Sequence, residues 1–305
     1  MAKFRDSNRV VMEADVGANQ TQDAKLVVHD RTLGDIIRQT NNLTADQIER
    51  VLTYQREKGV RFGEAAIALG LASNEDILFA LSQQFHYPYA PEERHVFSEE
   101  LVVATKPFSP QAEAFRAIRS QLIMRLFSGD TARPAIAVVS PESGDGKSFF
   151  AANLAVALSQ LGGRTLLVDG DMRSPRQHQI FGLENSSGLS GILAGRSENS
   201  VIQQVRDLPS LFVLPVGAVP PNPLELLERP AFGLLIRELL SKFDFVVVDT
   251  PAARRGSDSS VLAARCGAAL AIARKGSSSI GSLQDMVAAL AETPAKLAGV
   301  IMNEF

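Results

Sequence analysis

The spacing of apolar residues changes character along the chain, and each change marks a segment. Residues 1–30 are polar and aperiodic, and disorder is expected there. From about Arg31 to Gln84 apolar positions recur at helical spacing. Prolines then cluster in His86-Tyr87-Pro88-Tyr89-Ala90-Pro91 and at Lys106-Pro107, which argues for a linker over 91–108. A helix is expected over 111–127. Beyond it, short buried-type apolar runs alternate with helical patterns. The expected order is strand 135–140, helix 147–161, strand 165–170, strand 211–215, helix 231–241, strand 244–249, strand 268–274, helix 280–292 and strand 297–302. Continuous apolar strands alternating with helices predict a mainly parallel, doubly wound α/β sheet. The division expected is a tail over 1–30, a small all-α unit over 31–90, a linker over 91–108 and an α/β domain over 109–305.

The helical segment repeats itself. Leu33-Gly34 recurs as Phe62-Gly63, an offset of 63 − 34 = 29 residues, and the same offset maps Ile37 to Ala66, Thr44 to Ser73, Leu52 to Leu81 and Gln55 to Gln84. Thr44-x-x-Gln47 and Ser73-x-x-Asp76 read as helix N-terminal signals, so each copy is a short helix, a turn and a longer helix. On pattern alone this is a four-helix bundle suited to packing or docking.

The chemistry concentrates at the ends of three predicted strands. Ser140-Pro-Glu-Ser-Gly-Asp-Gly-Lys-Ser148 lies between the run Ala135–Val139 and a helix, the context of a phosphate-binding loop, although Pro141 stands where the first Gly of G-x-x-x-x-G-K-[ST] belongs. The peptide groups of Ser143, Gly144, Asp145, Gly146 and Phe149 are candidates to cradle phosphate. Lys147 is expected on the β- and γ-phosphates and Ser148 on Mg²⁺. Leu166-Leu-Val-Asp169-Gly-Asp171 ends in two carboxylates; alternation in an extended chain points both the same way, as hard ligands beside a triphosphate. Phe243-Asp-Phe-Val-Val-Val-Asp249 is a buried strand ending in an acid placed to hold Mg²⁺ through water. Each motif alone also fits an ordinary capping turn. Together they specify a P-loop NTPase fold, with Ser148, Asp169 and Asp249 as metal residues and Lys147, Asp169, Asp171 and Asp249 as catalytic residues. Asp169 or Asp171 would accept a proton from an acceptor hydroxyl, since adjacent anions raise a carboxylate's pKa while a metal opposes that shift.

Composition narrows the classes. Net charge is −3, which offers no case for nucleic-acid binding. The single cysteine, Cys266, excludes an intrachain disulfide and reads as buried and inert, fitting a reducing cytosol. No apolar run approaches the ~20 residues needed to span a bilayer, so membrane association is expected only through a partner.

From about residue 108 onward the chain resembles the bacterial tyrosine autokinases of exopolysaccharide export (BY-kinases), and within them the standalone EpsG subtype that lacks fused membrane helices. The resemblance rests on the phosphate loop, on Asp169-x-Asp171-x-Arg173, on Val248-Asp249-Thr250-Pro251 with Asp258, on Gly217-Ala-Val-Pro-Pro-Asn222-Pro223 with Glu225-Leu226-Leu227, and on Gly299-Val-Ile-Met-Asn303. It implies ATP and Mg²⁺ as cofactors, Arg173 and Asn303 as further nucleotide-binding residues, and regulation of polysaccharide chain length and export. It also implies a membrane polysaccharide co-polymerase as partner and a location at the cytoplasmic side of the inner membrane. Glu113-x-x-Arg116-x-x-Arg119 fits the family's E-x-x-R-x-x-R stripe, which docks one subunit on the next in a ring. On the residues alone it is equally a solvated helix face with an internal ion pair. One departure matters. The tyrosines are Tyr54, Tyr87 and Tyr89, all before the phosphate loop, so no C-terminal tyrosine cluster serves as acceptor.

Two other classes compete. A ParA/MinD-type partitioning or positioning ATPase places a signature Lys five residues before the loop Lys, but position 147 − 5 = 142 is Glu142. A non-catalytic adaptor would sense a ligand through the repeat. That repeat resembles the N-terminal domains of type II secretion and type IV pilus ATPases, some of which bind cyclic di-GMP. Arg61, Gly63, Gly70, Leu81 and Gln84 keep their 24-residue pattern, and Leu33, Gly34, Leu52 and Gln55 keep it in the first copy. There Thr32 replaces the Arg and Asn41 the second Gly, where a positive φ is expected and Asn is the best substitute.

Overall fold

The computed structural model describes residues 33–84, 98–128, 133–196 and 201–304. The readings for residues 1–30, for the prolines at 88 and 91, and for Thr32 fall outside them.

The repeat folds as two helix pairs: α1 (Leu33–Thr40) and α2 (Ala45–Lys58), then α3 (Phe62–Ala68) and α4 (Asn74–Gln84). Both start signals form. Thr44 Oγ1 accepts from the Gln47 amide at 3.3 Å while Gln47 Oε1 accepts from the Thr44 amide at 2.8 Å. Asp76 Oδ2 accepts from the Ser73 amide at 2.7 Å. Gly59 stops α2 at φ +66°. Phe62 joins the two small cores, one around Ile37, Leu43 and Ala80 and one around Val51, Ala65 and Ala66. The expected left-handed Asn is shifted by one position: Asn42, at φ +50°, takes that conformation. Asn41 instead turns its amide to Asp76 Oδ2 at 2.8 Å and ties the first turn to the second helix pair. Partial burial raises the Asp76 pKa, but the bonds from Ser73 and Asn41 outweigh it and hold the carboxyl below its usual range.

Residues 101–105, assigned to the linker on their proximity to Pro107, are instead part of a core. Leu101, Val103 and Ala104 are buried, and α5 (Val102–Thr105) packs on the helix after the phosphate loop. Two side chains of α7 and its cap hold them: Asn153 accepts from the Val103 amide at 3.0 Å and donates to the Glu100 carbonyl at 2.8 Å, and Gln160 donates to the Val103 carbonyl at 3.4 Å. The expected helix over 111–127 is α-helical as α6 (Pro110–Leu122), and its last turn, Ile123–Phe127, widens into a π-turn.

The rest is β1 (Ala135–Val139), α7 (Lys147–Ser159), β2 (Thr165–Asp169), α8 (Gln177–Ile180), α9 (Leu189–Leu193), β3 (Gln203–Gln204), β4 (Leu211–Leu214), α10 (Pro223–Glu228), α11 (Pro230–Lys242), β5 (Phe245–Asp249), α12 (Asp258–Cys266), β6 (Gly267–Arg274), α13 (Ile280–Ala291) and β7 (Lys296–Asn303). The seven strands run in the order β3-β4-β2-β5-β1-β6-β7, parallel except for β3. Alternation splits the strands between two cores. Ile136 and Val138 face α6 and α7, while Ala135, Ala137 and Val139 face α11, α12 and α13. Helix α7 is apolar nearly all round and is buried from Phe150 to Ser159, as a central helix must be. Cys266 is buried and its thiol is pushed far up by burial, which leaves it inert.

Because strand order reverses between β2 and β1, their carboxyl ends open a crevice flanking β5. The register Asp169↔Asp249 puts the two acids side by side there.

Replacing Asn153 with Ala strands a buried amide and carbonyl, each costing about 1–3 kcal/mol. Urea unfolding of Asn153→Ala is expected to show a midpoint drop equivalent to about 2–4 kcal/mol, whereas an exposed control on α13 such as Gln284→Ala stays near wild type.

Candidate active site

The loop between β1 and α7 is shaped by glycines and held by one carboxylate. Gly144 and Gly146 sit at φ +88° and +96°, and a Cβ on Gly146 would collide with the Asn303 side-chain amide. Asp145 is fully buried: one oxygen accepts from the Glu142 amide at 2.8 Å and the other from the Ser278 hydroxyl at 2.7 Å. Its side chain therefore staples the loop, and only its peptide N–H is left for phosphate. Pro141 needs no N–H, because the contact made there is its carbonyl accepting from the Arg254 amide at 3.1 Å; the Ser140 carbonyl accepts from Ala253 at 2.9 Å. A glycine is not required at that point.

Lys147 lies almost buried at the start of α7, its Nζ 3.5 Å from the Glu142 carbonyl. Burial lowers its pKa, while Asp249, Asp171 and Asp145 pull it back up. Asp249 closes β5. Burial pushes its pKa to about 6, against hydrogen bonds from Ser148 and Gln177 and the Lys147 charge. Gln177 Nε2 donates to Asp249 Oδ2 at 2.8 Å, and the other oxygen, Oδ1, is buried without a hydrogen-bond partner.

The Asp169 and Asp171 side chains do not share one direction, because the strand ends at Asp169. Asp169 turns toward the backbone that follows: Oδ1 accepts from Asp171 at 3.2 Å and Oδ2 from Arg176 and Gln177 at 3.0 Å each. Burial and the neighbouring Asp249 raise its pKa well above the carboxylate range, with those amides opposing. Asp171 lies beyond the strand, accepts from the Arg173 and Ser174 amides at 3.1 and 2.9 Å, and its charge helps hold the Lys147 ammonium. Arg173, expected at the phosphates, is instead turned to the buried Asp258, with Nε and Nη2 at 3.2 and 3.0 Å. Asn303 does reach the loop, donating to the Asp145 carbonyl at 2.9 Å. Phe149 lines an apolar cavity of about 320 Å³ beside the loop with Phe115, Ile118, Ile301, Met302 and Asn303.

Gln177 is the residue that sequence reasoning missed. It is fully buried, and its amide also donates to the Ser148 carbonyl at 3.1 Å, so it ties all three motifs together. Eight residues past Asp169 in a polar turn, it carried no local signal. Ser278, Arg255 and Arg274 were missed in the same way. Ser143 Oγ accepts from Arg255 at 3.1 Å and the Gly144 carbonyl from Arg274 at 3.3 Å. Glu142 pairs with Arg254 at 3.3 Å, so an acid-base pair occupies the position of a partitioning ATPase's signature Lys.

The donor set fits Mg²⁺ in part from the protein and in part from a nucleotide. The orphaned Asp249 oxygen, the Ser148 hydroxyl and the Asp171 carboxylate are hard oxygens. Among the described residues, no group of three or more His, Cys, Asp or Glu side chains could hold a metal.

Fold and loop together define a P-loop nucleotide-binding protein. The CobQ/CobB/MinD/ParA nucleotide binding domain matches residues 136–305. The putative tyrosine-protein kinase CapB of Staphylococcus aureus is 39% identical over 163 residues, 53% of this chain and 71% of that protein. Tyrosine-protein kinase YwqD of Bacillus subtilis is 34% identical, over 67% of this chain and 85% of that one. The solved chimerical protein CapA2B2 superposes with a TM-score of 0.63 at 35% identity, covering 74% of this chain and 97% of that chain. The chain thus belongs to the CobQ/CobB/MinD/ParA nucleotide-binding family and, within it, to the bacterial tyrosine-protein kinases, which are ATP-binding phosphotransferases.

Two outcomes follow from this geometry. Gln177→Leu removes one donor from Asp249 Oδ2 and one from the Ser148 carbonyl; thermal unfolding is expected to show a loss of about 1–3 kcal/mol, with a weaker Mg²⁺ dependence of nucleotide binding. Asp249 binds its proton more tightly folded than unfolded. In EDTA its contribution to stability is therefore full below about pH 4 and is lost as pH rises through about 6. Asp249→Asn is expected to flatten that part of a stability-versus-pH profile, and an unchanged profile contradicts the assignment.

Proposed function

We propose that the chain transfers the γ-phosphoryl group of Mg·ATP to a tyrosine and thereby regulates exopolysaccharide chain length and export with a membrane polysaccharide co-polymerase. The observation carrying this reading is the convergence of Lys147, Ser148 and the unpartnered Asp249 oxygen at a glycine-shaped loop in a chain related to tyrosine-protein kinases. Peptide groups from Ser143 to Phe149 cradle the phosphates, and Lys147 neutralises the transferred group. Ser148 and Asp249 would hold Mg²⁺, which when bound would supply charge neutralisation at the phosphates, and Asp171 is left as the proton acceptor. Asp169, with both oxygens engaged by backbone amides, sets the turn that places Asp171. The cavity at Phe149 and Asn303 suits the nucleobase. Arg173 acts through Asp258 as a positioning residue.

Tyr54, Tyr87 and Tyr89 all precede the phosphate loop, so the acceptor is placed on a partner. Among the described residues no helix is long and apolar enough to cross a membrane, and attachment to the inner membrane is assigned to that partner. The helical repeat over 31–90, with the following linker now shortened by the buried residues 101–105, is read as a docking or sensing unit. Cyclic di-GMP is its proposed ligand, with Arg61 exposed at the start of α3 as the contact.

The ring stripe is partly used within the chain. Glu113 pairs with Arg116 at 2.6 Å, Arg116 also bonds the Pro107 carbonyl, and Arg119 donates to the Ala157 carbonyl at 2.8 Å. Glu113 stays 71% exposed and is the member most available to a second copy.

Three measurements test these readings. After incubation with Mg·ATP and the cytoplasmic segment of the co-polymerase, a phosphosite map is expected to show phosphotyrosine on the partner, abolished in Lys147→Met; ATP turnover without phosphotyrosine leaves an ATPase only. Light scattering is expected to show a ring that Glu113→Ala shifts to monomer. Calorimetry on the full chain is expected to detect cyclic di-GMP at tens of micromolar and to lose it in Arg61→Ala; silence in wild type removes the sensor role.

A further inference from the structure

The turn after β5 carries two arginines whose surroundings differ. Arg254, with its side chain 78% exposed, is neutralised by Glu142 at 3.3 Å. Arg255 has no carboxylate in ion-pair range among the described residues. Its Nε donates to Ser143 Oγ at 3.1 Å and its Nη1 to Ser174 Oγ at 3.2 Å. Ser143 stands on the phosphate loop, directly before Gly144. Ser174 stands on the turn whose amide is held by Asp171. Arg255 therefore bridges the two walls of the phosphate mouth, with its charge resting on neutral hydroxyls. Its backbone cannot drift far, because the neighbouring Ala253 and Arg254 amides are bonded to the Ser140 and Pro141 carbonyls. Its field reaches Lys147, lowering that ammonium's pKa.

A guanidinium in this state is poised for an anion. Moving onto a phosphate gives up two hydroxyl contacts and no ion pair. Its planar fork then matches two phosphate oxygens. We propose that Arg255 is an arginine supplied by the chain itself that engages the terminal phosphoryl group of the bound nucleotide. The proposal rests on reading the site as an ATP phosphotransferase centre. In the step it serves, the bond from the β–γ bridging oxygen to the γ-phosphorus breaks and its electron pair stays on ADP. The acceptor tyrosine oxygen forms the new bond to phosphorus, and the tyrosine proton passes to Asp171. Charge on the equatorial oxygens is what a guanidinium stabilises. Arg274 holds the loop from the other side through the Gly144 carbonyl, a backbone contact with no comparable second wall.

The test compares Arg255→Ala, Arg255→Lys and Arg206→Ala by calorimetry with Mg·ADP and a non-hydrolysable Mg·ATP analogue, and by turnover. Arg255 is exposed, so the variants are expected to fold, and thermal unfolding checks this. Arg255→Ala is expected to bind ADP within about twofold of wild type and the ATP analogue about tenfold more weakly, with turnover down at least about a hundredfold, as for arginines acting on a transferring phosphoryl group. Arg255→Lys falls between, added guanidinium ion restores part of the Arg255→Ala turnover, and Arg206→Ala, at an exposed turn before β4, matches wild type. Equal loss of ADP and ATP-analogue affinity, or unchanged turnover, overturns the proposal while leaving the site reading intact. Full turnover in Lys147→Met overturns the site reading and the proposal with it.

Discussion

Two carboxylates, Asp169 and Asp249, end adjacent parallel strands in direct register and are fully buried. Like charges in that position repel and lose their hydration, and both pKa values are driven upward. The architecture around them is a set of answers to that problem. Asp169 collects three backbone amides, which is why the chain after β2 must turn sharply and start α8 where it does. Asp249 collects Gln177, Ser148 and the field of Lys147, and still keeps one oxygen without a partner. That remaining deficit is the chemistry: a cation is the natural complement of a buried anion with an unused lone pair.

The same constraint explains how a loop lacking its first glycine remains serviceable. Gly144 and Gly146 supply the positive φ angles that the turn requires. The segment around Pro141 is shaped from outside, by amides of the turn after β5 bonding its carbonyls. Asp145 then locks the loop from within against Ser278. Rigidity bought by tertiary contacts replaces freedom that a glycine would provide, and it couples the loop to the same β5 turn that bears Arg254 and Arg255.

The segment preceding β1 belongs to this machinery as well. Leu101 and Val103 are buried against α7, and Asn153 on α7 grips both sides of that turn. Glu100 reaches Arg176, beside the amides that Asp169 holds. The chain entering the α/β domain is thus in physical contact with the turn that organises the buried acids. The repeated helices upstream make their own small cores, with Asn41 and Asp76 joining the two copies.

What was legible in the sequence is what local physics encodes. Continuous apolar runs marked the long strands to within a residue or two; the inner ones are buried on both faces and have no room for polar residues, while the edge strand β7 carries an apolar run although only Ala298 in it is buried. Glycine spacing, Lys147, Ser148 and the strand-ending acids marked the site, because these residue types are chemically irreplaceable at their positions. Capping pairs at Thr44 and Ser73 marked helix starts, because their bonds span only three residues. Side-chain direction was not legible. Whether Asp169 and Asp171 share one direction, and whether Arg173 turns to phosphate or to Asp258, depends on where the strand stops and what lies 85 residues away. Gln177, Arg255 and the buried turn at 101–105 were invisible for the same reason. Each acquires its role from partners distant in the chain, and only the packed sheet brings those partners within a hydrogen bond.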